Sequence, residues 1–383
     1  MSVGPIPYQI AVSKQTLDRI EERIKSVRMP PTSAGARWKY GLDADWFRKV
    51  LAYWVNGFDW THAEQDLNRT PQYTLQVSTT PIHFAWIKPK KRSTLLPFLL
   101  LHGWPYTFAT MLPLANNLAE AGFEVIVPSL PGYDFSPALD NEVRGLRFIG
   151  TRIAALMEML GFDEYIVHGG DHGAVIADWL AIDVPARVAG IHANTIGFRH
   201  HGAEFGNGQT GAADSTEEEN AYVKAEVEHM DRESAYFRLQ ATRPETITYA
   251  LTDSPVGWAA YMLDKWQKWT AGGPEAIEKA YSQDHLLTEV MIYLVTDTVA
   301  TGIWPYAGFA LEPFGLQPGQ MLEQPFAYSS FDDPLLPRMP RRFVERSRPH
   351  IKLWREHASG GHFPMLTATG TLAKDAIDFA DQL

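Results

Sequence analysis

The sequence predicts an α/β protein with a mainly parallel sheet, a helical cap inserted into the fold and an N-terminal extension. Two observations support this prediction. From about residue 95 short apolar runs alternate with helical stretches, whereas between residues 199 and 302 charged, helix-prone segments rich in Trp and Tyr replace the apolar runs. In a parallel sheet covered by helices on both faces, active sites lie at the carboxyl ends of the strands. The residues that follow each apolar run are therefore the first candidates for a function.

The elements of the extension are predicted from the spacing of apolar residues. Leu17, Ile20 and Ile24 recur three and four residues apart, which is typical of a helix, and two prolines at residues 30 and 31 end it. Further on, two short stretches typical of β-strands flank a turn at residues 79–81. The extension is thus predicted to contain helices at 13–27 and 44–55 and strands at 73–77 and 82–87.

The core elements are predicted in the same way, and they divide the chain into four parts. The predicted strands are 96–101, 123–127, 165–167, 188–193, 325–331 and 351–354, and the predicted helices are 111–121, 149–160, 175–182, 340–347 and 372–380. The four parts are an extension at 1–92, a first core part at 93–198, a helical cap at 199–302 and a second core part at 303–383.

The composition is that of a folded globular protein and excludes several functions. The 383 residues are 45% hydrophobic and 21% charged, which allows a full core. The net charge of −11 argues against nucleic-acid binding, and the lack of cysteine excludes disulfides, thiolate metal sites and a Cys nucleophile. The 12 Trp and 15 Tyr suit an apolar pocket with a few polar groups.

The sequence also indicates where the protein works. No basic stretch followed by an apolar run is evident near the N-terminus, so no signal peptide is predicted. The longest apolar run, at residues 95–101, is far shorter than the ~20 residues that span a bilayer. We therefore expect a cytoplasmic protein that binds neither membrane nor nucleic acid, and a homo-oligomer stays open.

The strongest local signal is VHGGDHGA at residues 167–174, between a short apolar strand and an apolar helix. A strained strand-to-helix turn requires small residues two positions before and two positions after a central nucleophile. The central residue here is Asp171. The alternative is an ordinary glycine turn in which Asp171 caps the following helix.

An aspartate at such a turn favours one kind of chemistry. Its carboxylate, with a usual pKa of about 4, is ionised at neutral pH and needs no base to attack an electrophilic sp³ carbon. It opens an epoxide or displaces a halide and forms an alkyl ester. Water must then cleave this ester, which requires a general base, a partner that orients the base, and an oxyanion hole.

Residues after other strands supply these groups in the order nucleophile, acid, histidine. His362 lies in a glycine-rich loop after the last predicted strand and is the expected base. Asp332 and Asp333 follow the preceding strand, and one of them is expected to orient the histidine. The backbone N–H groups of Trp104 and His172 are the expected oxyanion hole.

Together these residues are similar to a known family, the epoxide hydrolases of the α/β-hydrolase fold, and in particular to the microsomal and juvenile-hormone epoxide hydrolases. The resemblance covers almost the whole chain. In the core it rests on HGWP at 102–105, GGDHG at 169–173 and GGHF at 360–363. In the extension it rests on WKYG at 38–41, YW at 53–54, FDW at 58–60, LN at 67–68 and IHF at 82–84.

The resemblance implies two cap tyrosines that hydrogen-bond the epoxide oxygen and stabilise or protonate the leaving alkoxide. Tyr236 matches one of them, and Tyr306, in the sequence IWPY, is the best match to the second. The family's acid is typically Glu, but Pro334 occupies that position here. Asp333 is therefore the favoured acid, and Asp332 is the alternative.

The predicted function is hydrolysis of a bulky, aromatic epoxide to a vicinal diol through a covalent aspartyl ester, with epoxide and water as the only partners and no metal or organic cofactor. Membrane-bound relatives begin with a hydrophobic anchor that this chain lacks, so it resembles the soluble bacterial members. Natural-product biosynthesis and xenobiotic detoxification are both compatible with this function.

Other functions stay open as alternatives. A haloalkane or haloacid dehalogenase of the same fold also uses an aspartate nucleophile, and a non-catalytic protein could bind apolar ligands in the same pocket. A metal site at His168, Asp171 and His172, or at His200 and His201, is not favoured, because a strained turn points neighbouring side chains in different directions.

Overall fold

The computed structural model describes residues 4–91, 94–138, 142–312 and 315–383. Over these ranges nine strands form one sheet in the order β1-β2-β3-β5-β4-β6-β7-β8-β9. The strands are β1 Ile6–Tyr8, β2 Gln72–Val77, β3 Thr80–Ile87, β4 Phe98–Leu101, β5 Val125–Pro128, β6 Tyr165–Gly169, β7 Val188–Ala193, β8 Phe326–Ser330 and β9 Ile351–Glu356.

The sheet has an antiparallel edge and a parallel remainder. The first three strands pair antiparallel, and β3 pairs antiparallel with β5. From β5 through β4 and β6 to β9 every described pairing is parallel. The mainly parallel sheet that was predicted from the alternation of apolar runs and helical stretches is confirmed. As a result, the loops after β4, β6, β8 and β9 emerge at one edge of the sheet.

Helices cover this sheet and form a separate layer over its carboxyl edge. The α-helices of the described ranges are α1 Lys14–Lys25, α2 Ala44–Asn56, α3 Trp60–Leu67, α4 Phe108–Glu120, α5 Leu146–Met159, α6 His172–Asp183, α7 Glu217–Glu233, α8 Ala235–Thr242, α9 Pro244–Asp253, α10 Pro255–Trp269, α11 Ile277–Ala280, α12 Gln283–Val295, α13 Trp304–Gly308, α14 Arg341–Glu345, α15 Pro364–Thr367 and α16 Thr369–Ala380.

The central strands are apolar along their whole length because both of their faces are covered. All four residues of β4 are fully buried, and so is each residue of β6. Helix α6 is buried on every side, which explains why its sequence has no polar face. These elements form the rigid support for the loops that follow them.

Helices α7 to α12 lie between β7 and β8 in the chain, where the sequence lacks apolar runs. Helix α1 of the extension contacts α10 and α12. An ion pair of 2.5 Å between Arg23 and Asp253 joins α1 to α9. The extension therefore packs against the cap helices as well as adding strands to the sheet.

Most predicted elements are present, with shifted ends. Ser13 caps α1 by accepting a hydrogen bond from the Thr16 N–H, so the helix begins at residue 14. Four elements, β1, α3, α13 and α15, have no counterpart in the prediction because all of them are short. The boundary predicted between residues 92 and 93 falls outside the described residues, and all four parts remain predictions. Within the described ranges, the helices are too short or too polar to cross a membrane.

Candidate active site

Asp171 lies on a sharp turn between β6 and α6. Its φ of 50° is in the left-handed region, which non-glycine residues rarely adopt and which marks a functional turn. A β-carbon at Gly169 would collide with the backbone of Gly173, and one at Gly173 would collide with Leu101. The side chain of Asp171 makes no capping hydrogen bond to α6. The capping alternative is therefore wrong.

His362 and Asp333 form a charged pair beside this carboxylate. Nδ1 of His362 lies 2.8 Å from Oδ2 of Asp333, and its Nε2 lies 3.7 Å from Oδ2 of Asp171. The other oxygen of Asp333 accepts a hydrogen bond of 2.8 Å from the Leu335 N–H. Asp332 instead accepts from the Gly361 N–H at 3.2 Å. The structure thus brings Asp333, and not Asp332, to the imidazole.

Burial and neighbouring charges set the pKa values of this group. Burial alone would raise the pKa of Asp171, but His172, His362 and the Trp104 N–H lower it to about 2. Burial alone would lower the pKa of His362, but the carboxylates of Asp333 and Asp171 raise it to about 10. At neutral pH the resting site therefore holds an ionised Asp171 against a protonated His362.

Trp104 contacts the Asp171 carboxylate, and His172 follows Asp171 in the chain. The Trp104 N–H donates a hydrogen bond of 2.9 Å to Oδ1 of Asp171, and the Trp104-Pro105 peptide bond is cis. His172 is the first residue of α6, where a backbone N–H has no partner within the helix. The imidazole of His172 lies 3.0 Å from the hydroxyl of Tyr133. Its role in an oxyanion hole stays a prediction.

The two predicted cap tyrosines meet above Asp171. Tyr236 lies on α8 and Tyr306 on α13, and both are buried. Their ring centroids are 6.0 Å apart. Burial and the nearby Asp171 carboxylate raise the pKa of both phenols well above their usual value. Both therefore stay protonated and are able to donate a proton or hydrogen bond.

Aromatic rings surround the two tyrosines. Trp104 stacks on Tyr236 with centroids 5.6 Å apart and rings 9° from parallel, and its ring edge meets Tyr306 at 5.6 Å. Further rings within contact of this group are Phe237, Trp258, Tyr261, Trp269 and Phe309. The cap-facing side of Asp171 is thus lined mainly by aromatic rings.

Two contributors to this site, Tyr133 and Trp269, were not among the residues predicted from the sequence. Tyr133 follows β5, whose carboxyl end lies at the same edge as the turn, so its position in the chain was a usable signal. Trp269, at the end of α10, accepts a hydrogen bond of 3.0 Å from the His362 N–H and contacts its ring at 4.9 Å. Nothing in the sequence indicates that this cap residue holds the histidine loop.

The histidines considered for a metal site have other neighbours. Nδ1 of His168 lies 3.1 Å from Nδ1 of His192, and His200 bonds the carbonyl of Thr210. In the part of the chain that the structure describes, no group of three His, Cys, Asp or Glu side chains is arranged to hold a metal ion.

The fold and the site define the class of the protein. A mainly parallel sheet, an aspartate on a strained turn after β6, a carboxylate after β8 and a histidine after β9 are the features of an α/β-hydrolase. The family described as "alpha/beta hydrolase fold" matches residues 97–268, and the family described as "Epoxide hydrolase N terminus" matches residues 5–111.

The chain belongs to the epoxide hydrolase family. It is 31% identical to Epoxide hydrolase 1 of Oryctolagus cuniculus over 97% of this chain and 88% of that protein. The juvenile hormone epoxide hydrolase of the silkworm Bombyx mori superposes with a TM-score of 0.84 at 26% identity, covering 100% of this chain and 94% of that one. The Aspergillus niger epoxide hydrolase also gives 0.84 at 26% identity, covering 100% and 97%. The protein is a hydrolase whose substrates are an epoxide and water.

Proposed function

We propose that the protein opens a bulky, aromatic epoxide to a vicinal diol through a covalent ester on Asp171. One observation carries this proposal: an ionised Asp171 lies between two protonated tyrosines on one side and the His362–Asp333 pair on the other. Each half of a two-step hydrolysis has its own groups in this arrangement.

In the first step Oδ2 of Asp171 attacks an epoxide carbon, because Oδ1 is already held by the Trp104 N–H. A new C–O ester bond forms, and the C–O bond of the epoxide ring breaks. The electron pair of the broken bond moves to the epoxide oxygen. Tyr236 or Tyr306 donates its proton to this oxygen, which becomes the first hydroxyl of the diol.

In the second step His362 takes a proton from water, and the water oxygen attacks Cγ of the Asp171 ester. The Trp104 and His172 N–H groups stabilise the negative charge on the tetrahedral intermediate. The bond between Cγ and the ester oxygen then breaks, and this oxygen leaves on the diol with the proton from His362. The second proton of the water, carried by the new Asp171 carboxyl, passes to His362 and restores its protonated resting state, so one epoxide and one water give one diol.

The pKa of His362 connects the two steps. In the resting site the carboxylates of Asp333 and Asp171 both stabilise the protonated imidazole of His362 and so raise its pKa. Esterification removes the charge of Asp171, so one of these two carboxylates no longer raises the pKa of the imidazole. The proton lost by His362 restores the hydroxyl of the tyrosine that donated its own, and the neutral imidazole can then act as the base. The base is thus released only after the ester has formed.

The aromatic surroundings of Tyr236 and Tyr306 support the substrate class. Rings of Trp104, Phe237 and Trp269 offer flat apolar surfaces next to the reacting groups. An aromatic substituent on the epoxide would contact these surfaces by edge-to-face or offset stacking. Both natural-product biosynthesis and detoxification supply epoxides of this kind.

The alternatives fit the site less well. A dehalogenase needs groups that bind a halide ion, often a Trp directly after the nucleophile, whereas His172 occupies that position and the phenols face the site. A non-catalytic binder of apolar ligands has no need of a strained Asp171 or of the His362–Asp333 pair.

The direct test is turnover of styrene oxide by the purified protein, with product analysis by chromatography and with a chloroalkane of similar size as the control. We expect phenylethane-1,2-diol from the epoxide and no halide release. Diol formation should be lost in Asp171→Asn, because an amide cannot form the ester, while ligand binding is retained. Halide release without diol would favour the dehalogenase, and binding without either product would favour the binder.

A further inference from the structure

A small polar cavity lies next to the catalytic group and includes residues to which the mechanism above gives no role. It has a volume of about 20 Å³ and includes Asn194 and Thr195, which directly follow β7, and Asp333. About 10–15 Å³ is enough for one water molecule, provided that polar partners are present. The cavity is therefore the right size for a single water.

The polar side chains of this cavity include atoms with no protein partner. Asn194 and Thr195 are more than nine-tenths buried, and among the described residues Oδ1 of Asn194 and Oγ1 of Thr195 have no hydrogen-bond partner. A buried polar atom without a partner costs about 1–3 kcal/mol, so such atoms in native proteins are normally hydrated. A water molecule in this cavity would satisfy both atoms.

The cavity lies within one residue of the nucleophile. A β-carbon at Gly170 would lie 2.6 Å from Oδ1 of Asn194, so the amide of Asn194 lies against the backbone immediately before Asp171. Asp333, which also contacts His362, forms part of the cavity wall. Arg338, another residue of the cavity wall, is exposed to solvent. The cavity wall thus includes both a solvent-exposed residue and the acid that contacts His362.

We infer that Asn194 and Thr195 bind water and deliver it to the Asp171 ester, from the side opposite the epoxide pocket. This inference rests on the proposed function. Once the ester has formed, the aromatic substituent fills the cap-facing side, which is lined by Trp104, Tyr236 and Tyr306. Water that arrived by that route would have to pass the substituent, whereas water held at Asn194 and Thr195 would not. Both residues are positioning residues, since they act on the water and not on the epoxide.

The test separates ester formation from ester hydrolysis. Thr195→Val keeps the volume of the side chain and removes the hydroxyl, and Asn194→Leu removes the amide. With styrene oxide as the probe, rapid quenching and mass spectrometry of the Asp171 peptide give the rate of each step. We expect each variant to slow hydrolysis about tenfold, because a water anchor is lost, and to leave ester formation within about twofold. The ester should then accumulate.

Two matched variants make the result specific. Thr195→Ser restores the hydroxyl and should restore the hydrolysis rate. Thr248→Val removes another buried threonine hydroxyl, on α9 of the cap, where it donates to the Glu245 carbonyl, and should change neither step. Equal hydrolysis rates in Thr195→Val, Asn194→Leu and the wild type would overturn the inference. A different outcome would contradict the proposed function itself. In that outcome the wild type forms diol, but no ester is detected on Asp171 in any variant, including His362→Gln.

Discussion

The two sides of Asp171 are built from different chemistry and from different parts of the chain. The cap-facing side consists of aromatic rings and two protonated phenols from α8 and α13. The opposite side consists of His362, Asp333 and the polar residues after β7, all from loops of the sheet. In the mechanism that we propose, this difference assigns ring opening to the cap-facing side and ester hydrolysis to the opposite side. Variants on one side should therefore affect one step.

The largest effect is expected from His362→Gln, on the core side. The amide cannot take a proton from water, so we expect hydrolysis of the ester to slow by about 10⁴-fold. Ester formation should continue, because the Trp104 N–H and the tyrosines are unchanged. Mass spectrometry of the intact protein after mixing with styrene oxide should show one added substrate mass. Unmodified protein together with undiminished diol formation would contradict the assignment of the base.

A smaller effect on the same step is expected from Asp333→Asn. The amide keeps the shape of the side chain but removes the charge that orients and stabilises protonated His362, so hydrolysis should slow by about 10²- to 10³-fold. Asp332→Asn is the matched control, because Asp332 contacts the Gly361 N–H and not the imidazole. It should stay within about threefold of the wild type. Steady-state rates of diol formation suffice for this comparison. Equal losses of rate in Asp333→Asn and Asp332→Asn would contradict the assignment of Asp333 as the acid that orients His362.

On the cap side, Tyr236→Phe and Tyr306→Phe should each slow ring opening by about 10- to 10²-fold. One phenol can partly replace the other as donor, so the double variant should lose more than either single variant. The hydrolysis rate of the ester should not change. Rapid-quench measurement of both steps checks this prediction. If hydrolysis slowed as much as ring opening, the separation of the two regions would be wrong.

The smallest effect concerns the stability of the contact between cap and core. Glu289 of α12 accepts a hydrogen bond of 2.7 Å from Thr110 of α4, and burial raises its pKa to about 7. The charge of Glu289 raises the pKa of three buried neighbours, which are Asp134, Tyr106 and Tyr293.

A carboxyl whose pKa is higher in the folded protein than in the unfolded chain stabilises the fold below the unfolded value, and this stabilisation is lost as the pH rises through 7. Relative to Glu289→Gln, the free energy of unfolding of the wild type should therefore fall by up to about 3 kcal/mol between pH 4.5 and pH 8. Urea unfolding at both pH values checks this. Parallel pH dependences of the two proteins would show that Glu289 does not titrate in this range.

The sequence was most informative for the core. Glycine spacing around Asp171 and the order of residues after the strands predicted the turn, the histidine and the acid pair, because strand ends of a parallel sheet converge at one edge. The choice between Asp332 and Asp333 depended on loop geometry, which adjacent positions in the sequence do not determine. The structure resolves it by placing Asp333 against His362.

The cap was less predictable. Tyr236 and Tyr306 are separated by 70 positions, and only the family resemblance selected them among 15 tyrosines. Trp269 holds the His362 loop through its backbone carbonyl. Every residue type has this group, so the sequence does not indicate the contact. Asn194 was equally hidden, since its importance depends on the close approach of its amide to Gly170.

The covalent role of Asp171 is tested most directly by a single turnover in H₂¹⁸O with enzyme in excess over styrene oxide. We expect the first diol to carry an unlabelled oxygen from the Asp171 carboxylate and ¹⁸O to appear in the Asp171 peptide. Full ¹⁸O incorporation into the first diol, with an unlabelled peptide, would contradict the ester and show direct attack of water on the epoxide.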